Sequence, residues 1–161
     1  MVIASQEIVS ETRHEAGRAL LEKMYFEQTG QPMPEIVTTP RGKPYFSGSA
    51  LHFSVSHTKK RVFCVLADCP VGIDAEALDR DIDLRLAEKI LSASEKAQYD
   101  RARDKRQALL RFWVLKEAAA KCTGQGLRVY PNDTDFTLDD KRLFTQDGCL
   151  VAVIKEDEDA V

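Results

Sequence analysis

Asp74 and Glu76 stand two apart in the stretch VGIDAE. If that stretch is a strand, both carboxylates project from one face. Like charges so placed repel each other unless a cation sits between them. A small set of hard oxygen ligands suits Mg²⁺, whose shell is typically completed by waters and a substrate phosphate. A strand edge running into a charged loop has the same pattern, so the pair needs a third group. Glu117 supplies it. In FWVLKEAAAK, Leu109, Phe112 and Trp113 keep the i, i+3, i+4 rhythm of an apolar helix stripe, and the next turn brings Lys116, Glu117 and Ala120. A surface Glu117–Lys121 pair at i, i+4, worth about 0.2–0.5 kcal/mol, accounts for two of the charges. It does not account for charges that continue the face of Trp113. The stripe is therefore expected to run into a polar site, where a metal shared with Asp74 and Glu76 satisfies the glutamate and phosphate oxygens satisfy the lysine.

Two upstream stretches carry further phosphate-binding groups. SVSHTKK offers Ser56, His57 and Thr58 at a strand end, and RGKP places Arg41 and Lys43 on a loop shaped by glycine and proline. There is no Walker loop and no GxGxxG, so a nucleotide would not be held in those ways. Ser/His/Asp catalysis lacks a nucleophile elbow and has only three histidines to draw on. Of the possible cysteine nucleophiles, Cys64 lies in an apolar run and reads as core, and Cys122 reads as packing at a helix end.

The elements that must hold these groups follow from pattern. A helix capped by Ser10 is expected to about Gln28, with Ala16, Ala19, Leu20, Met24 and Tyr25 inward and Thr29-Gly30 as its stop. Residues 35–39 read as a short strand and RGKPYFSG as a loop. LHFSVSH is a strand with Leu51, Phe53, Val55 and His57 on one face. VFCVLA is a strand buried on both faces, and VGIDAE is extended. Ile82 to Ile90 form one amphipathic segment. Ser92 and Glu95 have capping-box spacing for a helix to about Arg103. A third helix spans about 105–122 and ends at Gly124, and DFTLDD with CLVAVIK reads as a closing hairpin. The order is that of an α+β protein.

Composition bounds the rest. At 161 residues the chain is one domain or two small halves, long enough to bury a core without a staple. A net charge of −3 argues against a general nucleic-acid binder. Four cysteines without a CxxC pair point to a reduced, cytoplasmic setting rather than to disulfides or zinc. The first residues lack the apolar core of a signal peptide, and no stretch reaches the length of a membrane span.

The series GKP, FSVSH, VGIDAE and WVLKEAAAK resembles the signature motifs of the 4′-phosphopantetheinyl transferases, specifically the surfactin-synthetase-activating type. LSASEKAQY looks like that family's F-S-x-x-E segment and GQGL like its G-x-G-L. The likeness covers roughly residues 12–140. It implies a pseudo-dimer of two αβ halves with the site in the cleft between them. A single transferase domain over residues 1–155 would divide into halves of about 1–68 and 69–155, with a disordered acidic tail at 156–161. Because the Asp-x-Glu arrives already at 74, the first half is expected to be shortened, lacking the usual N-terminal strand and part of the first helix.

The activity implied is transfer of 4′-phosphopantetheine from coenzyme A to a serine of an apo carrier protein (acyl, polyketide or peptidyl), with release of adenosine 3′,5′-bisphosphate. Carried over by motif, Asp74, Glu76 and Glu117 would hold Mg²⁺ at the coenzyme A diphosphate. Lys121 would contact the phosphates as a catalytic partner of Glu117, with Lys116 beside the site. His57 and Ser56 would touch phosphate oxygens, Lys43 and Pro44 would line the adenine and ribose-phosphate end with Arg41 nearby, and Arg13 falls near a basic position that binds the 3′-phosphate in relatives. Either Glu117 or a water beside the metal would take the serine proton. The expected state is a monomer or weak homo-oligomer. A non-catalytic binder of coenzyme A or of a carrier protein is the alternative, and retention of all three carboxylates speaks against it. Residues 96–111 carry Lys96, Arg101, Arg103, Lys105, Arg106 and Arg111 against Asp100 and Asp104. This basic patch is expected to meet an acidic carrier.

Overall fold

The computed structural model describes residues 1–125 and 135–156. The acidic tail beyond Glu156 and the second half of GQGL lie outside the described residues. The first strand, β1 (Val2–Glu7), pairs antiparallel with the later strand β5 (Arg61–Ala67), matching Val2 to Leu66 and Glu7 to Arg61. No strand was expected ahead of the first helix. The signal for it lies in its partner, because the apolar run 62–67 leaves an edge of N–H and C=O groups that β1 covers.

Helix α1 (Arg13–Thr29) starts two residues later than Ser10 predicts. Thr12 Oγ1 accepts from Glu15 N at 3.2 Å while Glu15 Oε2 accepts from Thr12 N at 2.8 Å, a reciprocal capping box. The helix closes on Gly30 at φ 69°, as expected. Its buried face is Ala16, Gly17, Leu20, Leu21, Met24 and Tyr25. Ala19 points to solvent instead of inward, because Gly17, two residues back, is the position seated against Val55 and Val62.

The hairpin of β2 (Ile36–Thr38) and β3 (Pro44–Phe46) follows, so part of the expected loop is a strand. Strand β4 (His52–His57) then pairs with β5, giving the order β1-β5-β4. β5 is buried on both faces. Val62, Cys64 and Leu66 pack with α1, while Phe63, Val65 and Ala67 pack with the second sheet.

That second sheet has the order β6 (Val71–Ala77), β8 (Cys149–Lys155), β7 (Leu143–Gln146). Its strand β8 alternates in the same way. Cys149, Val151 and Val153 face the first sheet, and Leu150, Ala152 and Ile154 face helix α4 (Lys105–Thr123). The layers are helix, sheet, sheet, helix, with a core in each gap. The β7–β8 turn is Asp147-Gly148, at φ 52° and 75°, the positive pair a tight hairpin requires. DFTLDD is not part of it, since β7 begins only at Leu143.

The helices after β6 lie between Leu84 and Thr123. The single segment expected over 82–90 is broken into a 3-10 turn (Leu84–Leu86) and a short α2 (Ala87–Ile90), since Asp83 caps the turn through Arg85 N and Leu91 is extended. Helix α3 (Ala93–Arg101) starts at the expected Ser92–Glu95 box. Helix α4 ends at Gly124, φ 70°.

Two contacts position the site. A Cβ on Gly72 would lie 2.0 Å from Ala118 O, so only glycine lets β6 and α4 approach this closely. At the seam between the sheets, Ser54 Oγ accepts from Ile73 N and Ser56 Oγ accepts from Ala75 N, both at 3.1 Å. Two serine hydroxyls thus link β4 to β6 where no backbone ladder runs.

Candidate active site

Trp113, Glu117 and Lys121 fall on one line of α4, four residues apart, and that line faces β6. Lys121 Nζ donates to Asp74 Oδ1 at 2.9 Å, to Ile73 O at 3.0 Å and to Val55 O at 3.5 Å. It bridges the carboxylate of one sheet and a carbonyl of the other. Ser56 Oγ also donates to Asp74 Oδ1, at 3.2 Å. Glu76 Oε1 accepts from the Trp113 indole N–H at 3.3 Å and pairs with Arg80, whose guanidinium lies 5.5 Å from the Trp113 ring centroid.

Asp74 and Glu117 are 6% and 4% exposed, and each keeps one buried oxygen without a partner, Asp74 Oδ2 and Glu117 Oε1. Burial is the main force raising the Asp74 carboxyl above its ordinary pKa, against the pull of Lys121. Burial and then the charge of Asp74 raise Glu76. Glu117 is pushed to about 7, by burial first and by Asp74 second. The three carboxylates destabilise one another's charge, and two of them have a spare oxygen. Among the described residues no three His, Cys, Asp or Glu side chains already form a metal cage. The spare oxygens and mutual repulsion nevertheless fit a divalent cation, which would satisfy both at once.

A cleft of about 240 Å³ opens beside this cluster, lined by Arg41, Lys43, Pro44, Val55, Lys121 and Gly124 among others. Lys43 hydrogen-bonds Cys122 O at the C-terminal end of α4, and burial lowers its pKa. His57 is exposed at the end of β4. Its pKa is lowered by partial burial and then by the positive charges of Arg13 and Lys121. Arg13, in the first turn of α1, thus lies within electrostatic reach of His57.

Two of the expected site residues point away from the cleft. Ser56 faces inward at 4% exposure and spends its hydroxyl on Asp74 and Ala75, so it holds Asp74 rather than facing a phosphate. Lys116 is fully buried, 2.9 Å from the equally buried Glu95. Successive helix residues point about 100° apart, so with Glu117 aimed at β6, Lys116 is aimed at α3.

Arg80 and Ser54 were not singled out in the sequence, and Glu95 was read there only as part of a capping box. Arg80 stands four residues after Glu76 in an acidic loop, a spacing that could have been read as a counter-charge.

The basic patch is mostly committed. Lys105 donates to Tyr99 O and Asp100 O, Arg106 to Leu78 O and Arg80 O, and Arg111 to Leu138 O. Lys96 pairs with Asp100 and Glu88, which leaves Arg101 and Arg103 exposed. No helix among the described residues is long and apolar enough to cross a membrane, and the four cysteines are free.

Residues 70–157 match the family model of the 4′-phosphopantetheinyl transferase superfamily. The chain is similar to the 4′-phosphopantetheinyl transferase psf-1 of Bacillus pumilus, at 35% identity over 69% of this chain and 49% of the relative. It is 38% identical to the 4′-phosphopantetheinyl transferase AcpT of Salmonella typhi, over 68% of this chain and 57% of that one. It is 28% identical to the 4′-phosphopantetheinyl transferase gsp of Aneurinibacillus migulanus, over 70% and 48%. The chain spans about half the length of the curated relatives it matches.

Proposed function

The chain belongs to the 4′-phosphopantetheinyl transferase superfamily, and from that premise we propose that it moves 4′-phosphopantetheine from coenzyme A to a serine of an apo carrier protein in the cytoplasm. The observation that carries this reading is the cluster of Asp74, Glu76 and Glu117, with two buried oxygens unpartnered, beside a cleft lined with Lys43 and Lys121. A protein that only bound coenzyme A would have no use for three mutually repelling carboxylates next to an anionic ligand.

In this reading residues 1–68 and 69–155 are the two walls of the cleft. Lys43, Pro44 and Arg41 receive the adenine and ribose-phosphate end, Arg13 and His57 supply positive charge for the phosphates, and Lys121 turns toward the diphosphate. Asp74, Glu76 and Glu117 would hold Mg²⁺, which would supply positive charge to nonbridging and leaving oxygens. Glu117, which keeps a buried oxygen without a partner, takes the serine proton. The serine oxygen forms a bond to the phosphorus carrying the pantetheine arm. The bond from that phosphorus to the bridging oxygen breaks, and adenosine 3′,5′-bisphosphate leaves with the electron pair.

The test is to incubate the protein with Mg²⁺, coenzyme A and an apo carrier, and weigh the carrier. A gain of one phosphopantetheine supports the reading. An unchanged carrier with coenzyme A bound to the protein supports the alternative of a non-catalytic binder.

A further inference from the structure

We propose that the buried Lys116–Glu95 ion pair fixes the roll of α4 and thereby aims Glu117, which makes Lys116 and Glu95 positioning residues and not contacts of coenzyme A. The inference rests on the transfer reading for its consequence in rate, but its structural content stands on the pair alone. Both side chains are 0% exposed, with Lys116 Nζ 2.9 Å from Glu95 Oε2 in an ion pair that lacks the alignment of a hydrogen bond. Glu95 joins three segments. Its Oε2 accepts from Ser92 N at 2.9 Å in the first turn of α3, its Oε1 accepts from Phe136 N at 3.0 Å, and its charge meets the middle of α4. The Phe136 ring lies near two cations, Lys116 at 5.8 Å and Arg142 at 5.3 Å.

Burying such a pair is a poor way to gain stability, since well-packed apolar residues of the same volume do as well or better. What apolar residues do not give is direction. Leu109, Phe112 and Leu115 gain from burial whichever neighbour covers them, whereas a charge whose counter-charge sits at one place favours a single roll. Lys116 precedes Glu117, so rolling α4 to break the pair swings the Glu117 carboxyl away from Asp74. The far end of the helix is seated separately, by Gly72 and by the three acceptors of Lys121. Lys121 shares the line of Glu117 but is held by these anchors, so loss of the pair should disturb Trp113 and Glu117 more than Lys121.

The variants are Lys116→Met, Glu95→Gln and the double Glu95→Gln/Lys116→Met. Lys116→Met strands a buried carboxylate and is expected to lower the melting temperature. The double variant, with no buried charge, recovers part of the loss, since the amide of Glu95→Gln keeps one acceptor oxygen, for Ser92 N or Phe136 N, where the carboxylate has two. Trp113 is the chain's one tryptophan, and its indole N–H meets Glu76, so its emission reports the roll of α4 without any assay of activity. The double variant is expected to shift that emission well below its melting temperature. It should bind coenzyme A by calorimetry within twofold of the parent, and lose roughly a hundredfold in kcat, the scale of a misplacement of about 1 Å.

Parental emission and parental kcat in a stable double variant would overturn the proposal, as the pair would then serve stability only. Affinity for coenzyme A falling in step with kcat would overturn it too, since Lys116 would then touch substrate. If the parent protein itself transfers nothing, the transfer reading fails. The Trp113 emission then decides the positioning claim alone, shifted in its favour or unshifted against it.

Discussion

Among the described residues Glu117 forms an ion pair with no cation. Lys121 spends its ammonium on Asp74 and two carbonyls, Arg80 pairs with Glu76, and Glu117 keeps a buried oxygen with nothing to accept from. Its carboxyl is raised from 4.5 to about 7, so the folded metal-free protein holds that proton more tightly than the unfolded chain does. The stability this contributes is fully present below about pH 4.5 and is lost as pH rises through 7. Above that, the buried charge costs on the order of 3 kcal/mol. Glu117→Gln removes the charge at nearly constant volume. Without metal the variant should melt with the parent at pH 4.5 and above it at pH 8. A gap independent of pH would refute the assignment. With Mg²⁺, coenzyme A and carrier, the same variant should lose transfer by about 10²–10⁴-fold. Lys121→Ala should weaken coenzyme A binding in calorimetry, and more so at low salt, where exposed charges are less screened. Unchanged affinity would show that Lys121 serves only Asp74. The carboxylates and Lys121 were legible because spacing reveals a shared face. The true partners of Ser56 and Lys116 were not. Which of two neighbouring residues faces the cleft depends on the roll of α4 and the seam between the sheets, and both are set by residues distant in sequence.

Gly72 is where element geometry meets the site. It seats α4 on β6 so closely that an added methyl would overlap Ala118 O and Cys122 N, at 2.0 Å and 2.5 Å. Both contacts are backbone atoms, so the helix itself must move. Gly72→Ala should cost about 1–3 kcal/mol or more and displace Lys121 from Asp74. The checks are a lower melting temperature and weaker coenzyme A binding in the same variant. A stable Gly72→Ala protein with parental affinity would mean that the close approach does not position the lysine. Most elements could be read from the chain, because capping boxes, the Asp-Gly turn and the doubly buried run 62–67 are local signals. β1 and the break within 82–90 could not. β1 answers to the free edge of β5, and the break answers to the Asp83 cap and to packing beneath it.

At the scale of the molecule, two helix-covered sheets meet face to face, and the carboxylate cluster lies at their seam, where Ser54 and Ser56 link β4 to β6. The surface that would meet a carrier is narrower than the charge count suggests. Arg106 and Arg111 hold loop carbonyls, so Arg106→Ser should destabilise by about 1–3 kcal/mol without reporting on docking. Arg101→Ser with Arg103→Ser is the cleaner test. An acidic carrier should associate more slowly with the double variant and with a flatter salt dependence, while coenzyme A binds as before. Parental association rates at low salt would place docking elsewhere. The central claim is that the three carboxylates of this chain, which spans about half the length of its relatives, carry out transfer. The measurement closest to it counts adenosine 3′,5′-bisphosphate released per carrier modified, for the parent and for Glu117→Gln side by side. The account predicts one nucleotide per modified carrier with the parent and next to none with the variant. It is contradicted if the parent binds coenzyme A and Mg²⁺ yet releases no bisphosphate, or if Glu117→Gln releases it at the parental rate.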